Sequence, residues 1–517
     1  MILLSLYMGD FDENISFYNQ VHMFFLIFAI LFVVIQENLR DKWAEGEYDV
    51  SVKVDGFYAE EPDTLDVVFV GSSQMYADMA PAVLFDRFGI TSYDFCANEQ
   101  PLWVSYYYIK EAIKRQHPKV IVLDVFTVYG DDYEQEGVMH INLDDLPMSF
   151  NKLCAIRNGV PKDLRYSFYF PIAKYHNTWT DLYENKVAMS FYHEKDPNKG
   201  YSPFIFAGDY EEGARQEVVE QTKKEPLPDR AKEWLLKIIE LCHDEQVELV
   251  LTKTPNGNAE RQKLYNSVEE LAEQQGVRFF NMNTRLDGQA HINIIQAEKV
   301  SVMMGEYLCD QFSFEDKRQD PAYASWYDSI SLFNRQKSKC EIISADSYEE
   351  YLPLLAREGY DVFITYKNET DQELTKEEIS FFNQTLGTTF DPAGDVAYCA
   401  VIEDGKTILE STDSDEMFET DEAVGTNEAA KANGTVEKAD GSVTMKLTMS
   451  DNQQKTLDVV LQSEGSKTDG SAAILVNGTD FSMNCDGFNI AIYDKYLGEM
   501  VEMSAFDLND NMKLYRK

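Results

Sequence analysis

The chain is short of positive charge. Its 46 Lys and Arg residues face 90 Asp and Glu, a formal net charge of −44, and no Lys/Arg block stands anywhere in it. A surface of that sign repels phosphate backbones and anionic headgroups, which excludes DNA and RNA as partners. It suits a solvated protein that meets cations or neutral glycans. The seven cysteines, Cys96, Cys154, Cys242, Cys309, Cys340, Cys399 and Cys485, are odd in number and never spaced CxxC. That excludes a zinc ribbon and a thioredoxin motif. Cys399 with Cys485 is the candidate disulfide, and the others read as buried free thiols. No internal repeat is present, and long apolar runs are confined to one place.

That place is Phe17 to Gln36 (FYNQVHMFFLIFAILFVVIQ). Its apolar centre, Met23 to Ile35, is short for a span, but with Phe17, Tyr18 and Val21 it reaches the roughly 20 residues a bilayer requires. Tyr18 and Trp43 would sit at the two interfaces. No small-x-small cleavage pattern follows Ile35, so the segment reads as an uncleaved anchor rather than a signal peptide. A buried helix of a soluble domain is the alternative. Asp10, Asp12 and Glu13 precede the run while Arg40 and Lys42 follow it. Taken alone, the positive-inside rule puts the body in the cytoplasm.

With 517 residues the chain has room for two to four domains. Residues 1–36 hold the anchor, and the acidic stretch 37–63 reads as a stalk. From 64 to 312 strands and helices alternate: Val67–Val70, Thr91–Phe95, Lys119–Val125, Glu248–Thr252 and Val277–Asn281 as strands, with helices Met79–Phe88, Pro101–Gln116, Arg230–Glu245, Ala259–Gln275 and Ala297–Phe312 between them. Such alternation predicts an α/β fold with a parallel sheet covered on both faces. An aromatic-rich insertion, 127–229, interrupts it and is expected to form a lid or substrate wall. A charged helical connector, 313–339, leads to a second, β-rich α+β domain, 340–517. That domain opens on a strand-like CEIIS, and its acidic Ser411–Gly441 stretch reads as a surface loop.

The first strand ends in Gly71-Ser72-Ser73. Strand, glycine, serine and helix bring a hydroxyl to the carboxyl edge of a sheet near a helix N-terminus, where an oxyanion or anionic ligand is favoured. A serine nucleophile needs a base and a carboxylate that orients the base. Of seven histidines, His22 lies in the anchor, His117 stands at a helix end before Pro118, and His243 faces solvent. His140, His176, His193 and His291 remain. His291 stands in Asp287-Gly288-Gln289-Ala290-His291-Ile292-Asn293, just before the last helix of the α/β domain, so one loop supplies base and carboxylate at the edge that carries Ser73. His140-Ile141-Asn142, near Asp144 and Asp145, ranks second. A metal reading of His140, Asp144, Asp145 and His176 ranks third.

The Gly71-Ser72-Ser73 turn, the run SYDF…NEQP…YYYIKEAIK…HPKVIVLDV and His291-x-Asn293 followed by QAEKV resemble SGNH/GDSL-type hydrolases over about Thr64 to Phe312. The likeness is to their membrane-anchored, extracytoplasmic group in Gram-positive bacteria, relatives of which work beside membrane-bound O-acyltransferases on cell-wall or secreted polysaccharide. The resemblance implies an SGNH (flavodoxin-like) fold, Ser73 as nucleophile, His291 as base with Asp287 to orient it, and a body outside the cell. The insertion's FPIAKYHNTW, with His176 and Trp179, also looks like that group and implies a substrate wall. Four positions depart from the pattern. The usual Asp three residues before the His is Gly288 here, with Asp287 four before. Cys96 stands where a glycine N–H enters the oxyanion hole. Asp124 ends the strand whose Asn usually donates to it, leaving Asn98 and Gln100 as substitute amide donors. Gln296 replaces a glycine before the last helix. In the second domain, YDVFITYKNET, AVIEDGKTILES and GFNIAIYDKYLGEMVEMSAFD resemble the interleukin-like EMT-inducer (ILEI) fold, which implies carbohydrate contact. Asn489, Tyr493 and Asp494 of its Gly487–Asp494 motif read first as strand and turn residues.

These observations lead to an esterase or O-acyltransferase acting on acyl esters of a cell-surface glycan, with no metal or organic cofactor. The alternative is a catalytically idle glycan-binding or scaffolding subunit, which Asp124, Cys96 and the offset Asp287 favour.

Overall fold

The computed structural model describes residues 2–40, 42, 50–130, 135–181, 187, 190, 193–208, 213–370, 372–392, 397–413, 433–439, 441–465 and 470–517. Trp43 and the centre of the acidic 411–441 stretch lie outside the described residues. The chain divides into two compact units, Met1–Lys337 and Ser338–Lys517.

Unit 1 is built on five parallel strands: β1 (Val67–Val70), β2 (Ser92–Asp94), β3 (Val120–Asp124), β4 (Glu248–Lys253) and β5 (Arg278–Asn281). β1 and β3 are buried along their whole length, as continuous apolar runs must be when helices cover both faces. The sheet order is β2-β1-β3-β4-β5. The order therefore reverses between β1 and β3, and in doubly wound sheets ligands bind in the crevice at that point, beyond the carboxyl ends of the strands. The Gly71-Ser72-Ser73 turn follows β1, and Asp124 ends β3.

The long first helix, α1 (Ile2–Leu39), contains a 21-residue stretch, Asn19–Leu39, that is long and apolar enough to cross a membrane and is 6% buried. The stretch expected to be a stalk contains instead a packed helix, α2 (Val50–Ala59). Val50, Val54 and Phe57 recur at helical spacing and enter the core, where Phe57 stacks on Phe95 at 3.9 Å. Lys53, Asp55 and Ser51 between them disguise the pattern, because those polar groups are buried too. The helix expected over Met79–Phe88 is α4 (Pro81–Phe88), and an unexpected short helix, α3 (Ser73–Asp78), precedes it. The Ser72 hydroxyl caps α3 through the Gln74 N–H, and Pro81 starts α4 afresh. α5 (Leu102–Gln116) follows β2. The insertion carries α6 (Glu136–Leu143), α7 (Phe150–Gly159), α8 (Arg165–Tyr169), α9 (Ile172–Tyr175) and α10 (Ala214–Glu220). The sheet resumes through α11 (Asp229–Asp244), α12 (Ala259–Gln275) and α13 (Ile294–Gln311).

The helix α14 (Trp326–Ser344) runs across the division between the units and absorbs Cys340-Glu341-Ile342-Ile343-Ser344, which the sequence reads as a strand. So short an apolar run has no decisive period, and the helical residues before it set its conformation. Unit 2 has two antiparallel sheets, one of six strands and one of five. At the centre of the larger sheet lies Gly487–Asp494. Phe488, Ile490 and Ile492 pack with residues of the helices Tyr348–Leu355 and Lys376–Leu386, while Ala491 and Tyr493 pack on the second sheet. This is the two-residue alternation of a strand buried on both sides. Asn489 closes a local loop by accepting from the Cys485 N–H and donating to its carbonyl, both at 2.9 Å. Tyr493 donates to Asp451 at 2.8 Å, and Asp494 accepts two turn N–H groups from Tyr496 and Leu497. All seven cysteines are free thiols, so the expected Cys399–Cys485 disulfide is not formed. Buried Cys399 faces the Val443 carbonyl, and Cys485 faces that of Met483.

Candidate functional site

The two serines after β1 have different fates. Ser72 is buried, donates to Asp124 Oδ2 at 3.0 Å and accepts the Gln74 N–H. Gly71 makes this possible, since a Cβ there would come within 2.7 Å of the Asp124 Cβ. Ser73 is half-buried at the first position of α3, and its hydroxyl makes no hydrogen bond among the described residues. Its own N–H belongs to a first helical turn, whose N–H groups have no partner within the helix.

Behind this turn lies a buried set of charges that the sequence does not announce. Lys253, at the end of β4, donates to Gln74 Oε1 at 3.0 Å and to the Thr254 carbonyl at 2.6 Å. Burial lowers its pKa against the raising pull of Asp124 and Asp78. Burial raises the Asp124 carboxyl, opposed by Lys253 and the Ser72 hydroxyl. Asp78, at the end of α3, is pushed up to about 8, chiefly by burial. The Thr254 hydroxyl and Ile292 N–H lie beside its carboxyl, but neither meets hydrogen-bond geometry. Burial thus favours the neutral form of the Asp78 carboxyl.

His291 lies in the loop before α13, the helix that packs on α3 and α4. It stacks on Phe204 at 4.8 Å, is half-buried, and its Nδ1 is buried without a hydrogen-bond partner. Burial and then the Lys253 charge push its pKa below the ordinary value, so the imidazole is a neutral base. Asp287 does not orient it. Its Oδ1 accepts the Arg215 N–H at 2.8 Å, serving the first turn of α10. Nor could an aspartate at 288 take that part without rearrangement, because a Cβ on Gly288 would lie 2.7 Å from the Pro255 carbonyl. Asn293, two residues on, caps α13.

The expected oxyanion donors also separate. Gln100 is buried with its amide bonded to Ser105 Oγ at 3.0 Å, where it serves the first turn of α5. Cys96 is packed with its thiol toward the Phe69 carbonyl, and burial raises the thiol's pKa. Phe95 and Ala97 donate to Phe69 and Gly71, the β1 side, which turns the intervening Cys96 N–H away from β1. Asn98 accepts from the Tyr76 hydroxyl at Oδ1, leaving its Nδ2 to donate. His176 and Trp179 are exposed on the short helical segment around α9.

No family model matches the chain, and neither does any curated protein or solved structure.

A complete Ser–His–Asp chain exists elsewhere in unit 1. His140 Nδ1 lies 2.9 Å from both Asp144 oxygens, and its Nε2 lies 3.2 Å from Ser167 Oγ. The three residues are buried, and Phe168 stacks on the imidazole at 3.8 Å. The Ser167 hydroxyl donates to the Leu164 carbonyl at 2.8 Å. Burial raises the Asp144 pKa, but the His140 bond and charge, Lys152 and the Tyr175 hydroxyl outweigh it and hold it low. This chain ties α6, α8 and α9 together, and its serine, histidine and aspartate are all buried. The metal reading is not assembled either: Asp145 pairs with Arg40, His176 is exposed, and no group of three or more ligating side chains occurs among the described residues.

Proposed function

We propose that unit 1 is a serine esterase or O-acyltransferase of the SGNH type, anchored by α1 and acting outside the membrane on acyl esters of a polysaccharide. The observation that carries this reading is Ser73: a half-buried, unbonded hydroxyl on the first turn of a helix at the switch point of a doubly wound sheet. Ser73 Oγ attacks the acyl carbonyl, and neutral His291 takes its proton. The developing oxyanion accepts from the Ser73 N–H and Asn98 Nδ2. His291 then gives the proton to the departing sugar oxygen, leaving an acyl-serine. Water or a glycan hydroxyl attacks this ester, again through His291, and restores Ser73. His291 works without a carboxylate partner, so the site is a dyad.

The test is turnover of p-nitrophenyl acetate by the full chain, beside Ser73→Ala and His291→Ala. Both variants are expected to lose a thousandfold or more, on the order seen when such a unit is dismantled. A fluorophosphonate probe should label wild type at Ser73 only. The second reading, a glycan-binding subunit, is favoured by the missing Asp287–His291 bond. Equal inertness of all three proteins, together with no labelling, sinks the enzyme reading in its favour.

A further inference from the structure

The end of α1 is locked to the insertion rather than hung from a linker. The Arg40 guanidinium pairs with the buried Asp145 carboxylate, to which Ser51 also donates at 2.9 Å. Thr178 donates to the Leu39 carbonyl at 2.5 Å, and Ser190 to that of Glu37 at 3.2 Å. Further up the helix, the Phe170 ring meets that of Phe32 with centroids 6.4 Å apart.

Phe32 fixes a depth. The 21-residue apolar stretch is roughly 31 Å long at 1.5 Å per residue, close to a bilayer's hydrocarbon thickness. Phe32 precedes Leu39 by seven residues, which is about 10 Å inside that length. A side chain touching Phe32 therefore lies beside the apolar stretch itself, below the surface of a bilayer whose boundary falls at Leu39. Phe170 touches it and is still 51% exposed. The neighbouring helices expose further large apolar side chains: Phe150 79%, Trp179 67%, Tyr166 59% and Leu153 41%. α7 packs on α8, α8 on α9, and α9 on α1, so these helices follow one another without a break to the span, and Trp179 stands just after α9.

We propose that this face of the insertion, carried by Phe150, Leu153, Tyr166, Phe170 and Trp179, is seated in the interfacial layer of the same bilayer that α1 crosses. The inference rests on the reading of α1 as a membrane span. The occupant is uncharged lipid surface rather than an anionic one, since a net charge of −44 offers no attraction to acidic headgroups. Tyr and Trp are the side chains that favour the boundary between headgroups and acyl chains. Unit 1 then lies on the membrane through two contacts, and cannot swing freely about α1.

The test uses the full chain in phosphatidylcholine vesicles whose acyl chains are dibrominated. Subtracting the emission of Trp179→Phe from that of wild type isolates Trp179. Its emission is expected to be quenched by the brominated chains and untouched by aqueous iodide. Phe170→Trp on the Trp179→Phe background should be quenched more strongly, being deeper. If the chain floats with the vesicles but iodide quenches Trp179 and brominated lipid does not, the proposal is overturned while the span survives. If neither quencher reaches Trp179, a second copy of the chain covers the face and the proposal is again overturned. If the chain fails to float after an alkaline wash, the reading of α1 as a span has failed, and the seating falls with it.

Discussion

Ser167, His140 and Asp144 form a closed hydrogen-bonded chain inside the insertion, whereas among the described residues Ser73 and His291 stand without hydrogen bonds to other side chains at the edge of the sheet. The first has the connectivity of a catalytic triad but is buried; the second is half-buried and lacks the orienting carboxylate. What separates them is where the serine proton goes. Ser167 spends it on the Leu164 carbonyl, one turn back in its own segment. Ser73 has no such partner, because Ser72 beside it has taken the capping task and the bond to Asp124. Saturated hydrogen bonding in a buried place holds a fold together; in the proposed mechanism the Ser73 hydroxyl keeps its proton free for His291.

The sharpest way to break this comparison is to exchange the two serines' fates. Ser73→Ala should cost a thousandfold or more in ester turnover and change stability by less than about 0.5 kcal/mol, as surface substitutions do. Ser167→Ala should leave turnover per folded molecule unchanged and cost about 1 kcal/mol, the worth of an ordinary buried hydrogen bond. Turnover lost with Ser167 and kept with Ser73 would reverse the assignment. Next in size is His140→Ala, which strands the Asp144 carboxylate in the interior. A cost of roughly 3 kcal/mol follows, as for a buried pair broken from one side, seen as a fall of several degrees in Tm by scanning calorimetry. An unchanged Tm would mean that His140 holds nothing together.

A smaller effect separates the raised carboxyl of the open site from the lowered one of the closed site. Burial raises Asp78 to about 8, whereas at Asp144 the His140 bond and charge, with Lys152 and Tyr175, outweigh burial and hold the carboxyl low. A raised carboxyl contributes stability that is complete below its unfolded value near 3.8 and is lost as pH rises through 8. Asp78→Asn, which removes the titration, should therefore raise Tm relative to wild type more at pH 9 than at pH 6. Asp144 has the opposite sign: its stabilisation is present above its unfolded value and disappears as pH falls below it. In the proposed mechanism the lowered His291 gives the activity profile its acid limb. Turnover should be level above pH 6.5 and fall only below it, as the imidazole gains its proton.

Much of this layout is readable in the residues. The five strands of the parallel sheet and the helices α5, α11, α12 and α13 stand where apolar periodicity puts them, because long amphipathic segments carry a strong signal. α2 was hidden because Lys53 is buried over the Tyr76 ring at 4.6 Å and so breaks the apolar stripe. α3 was hidden because a six-residue helix capped by Ser72 looks like a turn. At the candidate site, Ser73 and His291 were legible from the strand–glycine–serine turn and the loop before the last helix. Lys253 and Asp78 were not, since nothing local in TKT or YAD marks burial, and their proximity comes from α3 packing beside the end of β4. The bond that Asp287 makes is not legible for a related reason: its spacing to His291 is visible, but its contact with Arg215, 72 positions away in sequence, is not.

Asp287 supplies the finest test of the comparison. In a Ser–His–Asp triad the carboxylate fixes the tautomer of the imidazole, and its loss costs roughly ten-thousandfold in rate. In this structure Asp287 holds one N–H of α10, so Asp287→Ala should cost on the order of 1 kcal/mol, like a lost helix cap. Turnover should change by less than tenfold, with its pH profile unshifted. A ten-thousandfold loss would mean that the loop rearranges in the working enzyme until Asp287 reaches the empty Nδ1 of His291. The open site would then be a triad assembled only when substrate binds. Its difference from the closed chain around His140 would lie in timing, not in which groups are present.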